Sequence, residues 1–153
     1  MPNPFPFTSG QVLTAAQMNG IGEAWTSYTP VIKGGATTVT ATLNYAKYAR
    51  VNKIVILAVS ATVTSAGAAN GVVTISLPIA AANIGAAVDV ATNGSFIIKD
   101  SGTAYYTGAA QLITTTTVGG TAYGSVNNMG ASQPAFTLAN GDGVGAFIAY
   151  EVA

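Results

Sequence analysis

The sequence contains no cysteine and no histidine, and its ionisable side chains are few: five Lys or Arg and five Asp or Glu in 153 residues. Cysteine and histidine are the usual ligands of transition metals, and histidine is the usual acid–base group near neutral pH. A disulfide framework is excluded by composition. We therefore expect a protein that is not an enzyme and that has neither a metal site nor a cofactor.

The five carboxylates are too sparse to indicate a glycoside hydrolase. Asp142 and Glu151 occupy opposite ends of one predicted strand, about 30 Å apart, whereas the paired-carboxylate mechanism needs roughly 5–10 Å. A carboxylate pair formed by Asp89 and Asp100 remains an open alternative, because the sequence does not define the path of the chain between them. The stretch Asn140-Gly141-Asp142-Gly143 resembles part of a calcium loop, but the further oxygen ligands are missing nearby, so we expect a turn.

Charge is scarce overall. Charged residues make up 7% of the chain and hydrophobic residues 50%, where about 25% charged is usual. So little charge does little to keep monomers apart, which favours a homo-oligomer over a monomer made soluble by Thr, Ser and Asn side chains.

Several partner classes are disfavoured by the same composition. Net charge is zero, and without a basic run we expect no nucleic-acid partner. No apolar stretch approaches the length of a membrane span, so membrane insertion is not expected. The N-terminal sequence lacks the charged region and apolar core of a signal peptide, which predicts synthesis in the cytoplasm.

Residues 1–27 read as an extended arm with one short helix. Pro2, Pro4 and Pro6 alternate with other residues, and each proline favours an extended chain, so the first thirteen residues can span roughly 40 Å. Thr14 to Gln17 forms a capping-box pattern flanked by Leu13 and Met18 as a hydrophobic staple. The helix ends near Asn19 or continues toward Trp25.

Residues 28–153 read as a single β-domain. Val, Ile, Thr and Tyr dominate, and Gly and Asn mark the turns. Many short strands of this kind indicate an all-β fold, which we predict to be an antiparallel β-sandwich of jelly-roll type. Strands are predicted at 28–33, 37–43, 45–51, 53–64, 71–77, 94–99, 104–107, 110–117, 121–126, 134–138 and 143–152, with a crossover of undefined structure at 78–94.

Two local patterns sharpen this prediction. Residues 54–59 are apolar on both faces, so this strand should be central and covered on both sides. Asn70-Gly71, Gly119-Gly120 and Asn140-Gly141 are typical of turns.

Aromatic and basic residues supply candidates for glycan or partner contact. On a strand, Tyr45 and Lys47 face one way while Tyr48 and Arg50 face the other, and Tyr105 and Tyr106 also point to opposite faces. The alternative is that these side chains cover apolar surface or anchor the core. The candidate contact residues are Lys47, Arg50, Tyr105, Tyr106 and Tyr123.

Two groups of segments resemble bacteriophage proteins. Asn3-Pro4-Phe5 and residues 10–19 resemble the N-terminal arm of phage minor tail, fibre and related virion proteins. Tyr28-Thr29-Pro30, residues 48–55 and residues 75–78 resemble the β-domain that often follows that arm. In the second stretch Asn52 stands where a turn glycine is usual, and asparagine tolerates the left-handed conformation.

The resemblance covers roughly the first half of the chain and implies a non-enzymatic structural protein of the virion. Such proteins are fibre, tail-tip or capsid-decoration components, often trimers, with other capsid or tail proteins as partners. We expect residues 1–27 to attach the protein to the particle through Phe5, Phe7, Leu13, Met18 and Trp25. The alternative function is a receptor-binding module for host-surface glycans.

Overall fold

The structure, a computed structural model, describes residues 10, 12, 14, 15, 25–65, 67, 69–82, 92–122, 127–132, 134, 135 and 137–152. The elements in this part of the chain are β-strands, and all pairings between them are antiparallel, which confirms the predicted all-β class. The strands are β1 (Thr26–Ser27), β2 (Ile32–Gly34), β3 (Thr37–Val51), β4 (Ile54–Ser65), β5 (Val73–Ser76), β6 (Thr92–Asp100), β7 (Ala104–Thr114), β8 (Thr117–Ala122) and β9 (Gly143–Glu151).

The sheet closes into an eight-stranded barrel, so the predicted jelly-roll sandwich is wrong in its arrangement. Around the barrel the order is β3-β2-β5-β8-β7-β6-β9-β4, and β4 pairs again with β3. The short β1 adds to the outer edge of β3, where Thr26 lies opposite Tyr48.

The closure depends on β3, which the sequence divides into two predicted strands. Its first residues, Thr37 to Val39, pair with β2, whereas Thr40 to Val51 pair with β4. Register shifts at Thr40/Ala41 and Leu43/Tyr45 interrupt this second pairing. Irregularities of this kind bend a strand and increase its twist. A single coiled strand therefore joins the two ends of the sheet. Two separate flat strands would not close it.

Most other predicted strands are found with shifted ends. Predicted strands 104–107 and 110–117 form one continuous β7, and β8 starts at Thr117 rather than at residue 121. Within 134–138 the described residues make only isolated bridges, through Ala135 and Thr137, so that predicted strand is wrong for them. Of the crossover predicted at 78–94, residues 83–91 lie outside the described part, and β6 already begins at Thr92.

The barrel interior is filled by alternating side chains from all of the long strands. On β4, Val55, Leu57, Val59, Ala61 and Val63 are buried. An eight-stranded barrel is just wide enough for side chains to fill it, which makes the interior a core rather than a channel. The largest fully buried side chains are Phe96, Leu57, Ile75, Ile98, Met129, Leu138 and Ile148.

Tyrosines close the end of the barrel at which β3 and β9 finish. The rings of Tyr28 and Tyr48 meet edge to face, with centroids 6.0 Å apart. The Tyr28 hydroxyl donates to the Ser76 carbonyl oxygen at 3.3 Å, and the Tyr150 hydroxyl donates to that of Ile79 at 3.0 Å. These bonds tie the end of β5 and the chain just after it to the end of the barrel.

Gly119 and Gly120 do not form the predicted turn but lie buried inside β8. A Cβ on Gly120 would come within 2.5 Å of the Phe96 ring, so glycine is required there by packing. The turn lies four residues earlier, at Thr115 and Thr116. The Thr114 hydroxyl oxygen accepts a hydrogen bond from the Thr116 amide at 3.1 Å, an arrangement in which a side chain stabilises a turn.

Of the other two predicted turns, Asn140-Gly141 is confirmed, whereas at Asn70-Gly71 the chain bends after the bridge from Asn70 to Thr137. Gly71 and Gly141 have φ of 96° and 94°, in the left-handed region that favours glycine. Asp142 is 2% exposed, and its carboxylate accepts hydrogen bonds from the amides of Ser101 (2.9 Å) and Ala139 (2.7 Å). This carboxylate therefore stabilises a turn, as the sequence indicates.

Candidate functional site

The outward side of strands β3, β4, β9 and β6 carries an unusual number of exposed apolar side chains. We call this surface the apolar face and define it by Tyr45, Ile54, Ile56, Ala58, Ile97 and Phe147. Tyr45 and Ile97 are each 39% exposed, Ile54 45% and Phe147 49%. Strand register places these side chains in adjacent rows, because Ala58 lies opposite Lys47 on one side and Phe147 on the other.

The centre of the apolar face is a furrow of about 290 Å³. Its walls are Tyr45, Ile97 and Phe147, and its floor is formed by the small residues Ala58, Ser60, Ser95 and Gly145. In one row Tyr45 lies opposite Ser60, Ser60 opposite Gly145, and Gly145 opposite Ile97. Small residues between large ones produce the depression.

Gly145 has a specific part in this shape. A Cβ at this position would lie 2.9 Å from the Ile97 Cγ2 atom, so any larger residue would push Ile97 away from the sheet. Gly145 is buried although it lies on the outward side of the barrel, because Ile97 covers it.

Part of the opposite side of the barrel exterior is covered by the chain itself. Gln111, on the outward side of β7, is only 6% exposed. Its amide donates to the Asn128 side chain, which belongs to the segment before β9. Asn128 also forms a bridge with Thr121 of β8. The described chain thus covers β7 and β8 around Gln111 and Thr121 but leaves the apolar face open.

An aromatic corner lies at the β3 side of the apolar face. The Trp25 and Tyr45 rings meet edge to face at 6.3 Å, and the Lys47 ammonium lies 5.4 Å from the centre of the Tyr45 ring. A cation above an aromatic face is attracted by the ring quadrupole. Trp25 keeps 44% of its surface exposed. The corner marks the point where residues 1–24 join the barrel.

The predicted contact residues are separated rather than gathered. Tyr105 is 67% exposed on the outward side of β7, opposite Lys99, whereas Tyr106 packs against the core, as the alternation predicts. Lys47 belongs to the aromatic corner, but the Arg50 guanidinium turns back and donates to the Asn52 carbonyl oxygen at 2.7 Å. Tyr105 and Tyr45 are four strands apart, roughly 19 Å along the sheet.

Some predicted residues lie outside the described part of the chain. They are the candidate contact residue Tyr123, the anchors Phe5, Phe7, Leu13 and Met18, and Asp89 of the open carboxylate pair. The predicted N-terminal helix also falls outside it, apart from Thr14 and Ala15. For Trp25, the structure adds that the indole already contacts the chain's own barrel.

The sequence reasoning missed the central residues of the apolar face, Ile97, Gly145 and Phe147. A signal was present: on β9 the residues Phe147 and Ala149 are apolar although they alternate with the buried Ala146, Ile148 and Tyr150. A strand with hydrophobic residues on both sides, next to another of the same kind, indicates a sheet surface that is covered.

Other potential sites offer less chemistry. A shallow cleft of about 510 Å³ at the opposite end from the tyrosines is lined by Asn70, Gly71, Gly130, Ala131, Ala135 and Thr137, none of them ionisable. The described residues include no cluster of three metal-ligating side chains. Nor does this part of the chain hold a helix with the length and hydrophobicity needed to cross a bilayer.

Two tyrosines have pKa values that burial raises above the ordinary value. Burial, with a smaller effect from Tyr150, raises the pKa of Tyr28 well above its ordinary value. Burial likewise raises the pKa of Tyr150 to about 12, although the hydrogen bond to Ile79 opposes the shift. Both hydroxyls stay protonated near neutral pH, where they act as hydrogen-bond donors.

Comparison with known proteins gave no relative from which a role can be transferred. No protein-family model, curated protein or solved structure matches the chain.

Proposed function

We propose that this protein is a non-enzymatic structural component of a bacteriophage particle, in a fibre, a tail tip or a capsid decoration. In this proposal the barrel oligomerises through the apolar face, with a trimer favoured. Residues 1–27 attach the protein to other capsid or tail proteins by means of Phe5, Phe7, Leu13, Met18 and Trp25.

The observation that carries the proposal is the open outer side of β4. The sequence predicts a central strand covered on both faces, and β4 is central, between β3 and β9. Yet its outward Ile54 remains 45% exposed. Contiguous exposed apolar surface marks a contact with another chain, because its burial contributes about 25 cal/mol per Å² before association costs.

The scarcity of charge supports the same reading. Across the apolar face, Lys47 lies against Tyr45, and Lys99 and Glu151 lie at its two margins. Interface centres are depleted of charge and enriched in aromatic side chains, and their rims are polar. The apolar face has this distribution within one chain.

The oligomeric mass of the full-length chain tests the proposal. We expect sedimentation at micromolar concentration to give a homo-oligomer. Phe147→Asp should convert it to a folded monomer, because a charge would enter the centre of the interface. Tyr105→Asp, an exposed site on the same exterior but outside the apolar face, is the matched control and should keep the oligomer. A wild-type monomer at high concentration would contradict the proposal.

The virion location requires a separate test. Mass spectrometry of purified particles of the phage that encodes the chain should detect it in a fixed ratio to the major capsid protein. Deleting residues 1–24 in the phage genome should yield particles without it. Particles that retain the shortened chain would contradict the role of residues 1–27.

A second candidate function is recognition of host-surface glycans. Trp25 and Tyr45 offer exposed aromatic faces beside Lys47, a combination suited to stacking on sugar rings. This function is compatible with a fibre tip. A glycan array with the full-length protein tests it: binding that is lost on Trp25→Ala supports recognition, and a clean negative across host polysaccharides removes it.

A further inference from the structure

The furrow of the apolar face has the shape of a site for an extended peptide. Tyr45 and Ile97 stand at its two ends, separated by three strand spacings, or about 14 Å. Phe147 forms one long side, and the floor has no large side chain. Three or four residues of extended chain fit this length at about 3.3 Å per residue.

The furrow also restricts the kind of peptide that can bind. It lies on the outer surface of a closed sheet, where the backbone groups of β4, β9 and β6 are paired within the barrel. A bound peptide therefore gains no ladder of backbone hydrogen bonds, and each buried amide without a partner costs free energy. A proline-rich peptide suits such a surface, since proline has no N–H, and aromatic-lined grooves bind such peptides.

The chain contains one segment with these properties, Pro2-Asn3-Pro4-Phe5-Pro6-Phe7. Three of its six residues are proline, which limits the entropy lost on binding. A following proline favours the β region at Phe5, and in such an extended chain Phe5 and Phe7 point to the same side about 6.6 Å apart. Both rings can therefore enter the furrow together, alongside the Phe147 ring.

The direction of the chain at β1 favours the furrow of another copy. Thr26 lies opposite Tyr48 and Ser27 opposite Lys47, so the chain reaches Thr26 from the side of Val51, at the hairpin end of β3. The furrow lies in the opposite direction, beyond Tyr45, and the Trp25 ring lies between the furrow and the incoming chain. To enter its own furrow the chain would have to reverse over Trp25.

We propose that the furrow between Tyr45, Ile97 and Phe147 binds the Phe5-Pro6-Phe7 segment of a neighbouring copy. Each copy then gives one segment and receives one. Such a head-to-tail contact closes into a ring when the rotation between copies allows it. This inference rests on the proposed function, in which the protein is an oligomer, and names the partner of the apolar face. It assigns Phe5 and Phe7 to the contact between copies and leaves attachment to other capsid or tail proteins to Leu13, Met18 and Trp25.

A mixing experiment with two full-length variants tests the inference. The segment variant is Phe5→Ser with Phe7→Ser, and the furrow variant is Phe147→Glu. Each alone should associate with a dissociation constant at least tenfold higher than that of the wild type. Mixed in equal amounts with donor and acceptor labels, they should form heterodimers, because an intact segment from the furrow variant meets an intact furrow on the segment variant.

The controls separate this inference from the proposed function. Val12→Ser changes an 86% exposed position and should leave association unchanged. If circular dichroism shows that the Phe147→Glu variant is unfolded, Ile97→Ser serves as the furrow variant instead. Mixing without heterodimers would overturn the inference. The inference would also be overturned if the segment variant associated as tightly as the wild type while the furrow variant did not. In that case the proposed oligomer would form through direct contacts between barrels. A monomeric wild type would overturn both.

Discussion

The Tyr150 hydroxyl donates a hydrogen bond to the carbonyl oxygen of Ile79 at 3.0 Å, across 71 positions of sequence. Tyr150 is 3% exposed, so its side of the bond is shielded from water. It connects the end of β9 to the chain that follows β5. Together with the bond from Tyr28 to Ser76, it closes one end of the barrel.

We expect Tyr150→Phe to lower the free energy of unfolding by about 1 kcal/mol, the usual net contribution of such a hydrogen bond. The aromatic ring is retained, so the loss of stability measures the contribution of the hydroxyl group. Urea denaturation should show a lower midpoint at an unchanged slope. The matched control is Tyr105→Phe at an exposed site, with a change below about 0.5 kcal/mol. Equal losses in the two variants would contradict the structural role.

Stability should decrease in alkali because of the same tyrosines. The folded state raises the pKa of Tyr28 and Tyr150 above the ordinary value of 10.0. Between pH 10 and the folded pKa, about 12 for Tyr150, the unfolded chain therefore binds fewer protons than the folded chain. Stability is then complete below pH 10 and is lost as the pH rises. Denaturation midpoints between pH 8 and 12 measure this loss.

The double variant Tyr28→Phe with Tyr150→Phe supplies the comparison for this pH dependence. Its unfolding free energy should be lower at neutral pH but should change less between pH 10 and 12, because two titrating groups are gone. An alkaline slope equal to that of the wild type would show that other groups determine the loss.

Asp142→Ala should be among the most damaging substitutions in the described part of the chain. It leaves the amides of Ser101 and Ala139 without their acceptor, and each buried unsatisfied amide costs about 1–3 kcal/mol. Thermal denaturation should show a loss of about 2–4 kcal/mol on this basis. Ser101→Ala keeps the donating amide and is the control, with a change within about 0.5 kcal/mol. A small effect for Asp142→Ala would mean that water satisfies both amides.

The turn between β3 and β4 gives different predictions for two substitutions at one position. Asn52 has φ of 55°. Asn52→Ala should cost about 1 kcal/mol, since a residue with Cβ is strained there. Asn52→Gly should be neutral within a few tenths of a kcal/mol, because glycine adopts this conformation freely. Urea denaturation of both variants is the measurement, and equal losses would show that the Asn52 side chain, not its backbone, matters.

The local structure was predictable wherever one residue type determines the backbone. Asn52, Gly71 and Gly141 adopt the left-handed conformations that their sequence contexts indicate. The alternation at Tyr45 to Tyr48 and at Tyr105-Tyr106 also gives the correct faces, because side chains on a strand alternate by geometry alone.

The closure of the sheet was not predictable from such local rules. It depends on β3 pairing with β2 at one end and with β4 along the rest, which are contacts between residues distant in sequence. The turn predicted at Gly119 and Gly120 was wrong for a related reason. The two residues are typical of a turn, but glycine is needed here because the Phe96 ring of another strand packs against this position.

The site was predictable only in part. Composition indicates that the chain has a covered surface, and the apolar pattern of residues 54–59 indicates one of its strands. The furrow requires Ile97 to lie next to Gly145, and β6 and β9 are more than forty residues apart in sequence. Alternation identifies which residues face outward, but only strand register shows which of them are neighbours.

The closed barrel has a consequence for a chain that is half hydrophobic and nearly uncharged. In an open sheet, unpaired edge strands would let copies add to one another without limit, as in fibrillar aggregates. Here β4 and β9 are hydrogen-bonded to neighbours on both sides. Copies of the barrel therefore cannot extend the sheet through β4 or β9, and a contact made there has to use side chains instead of backbone hydrogen bonds.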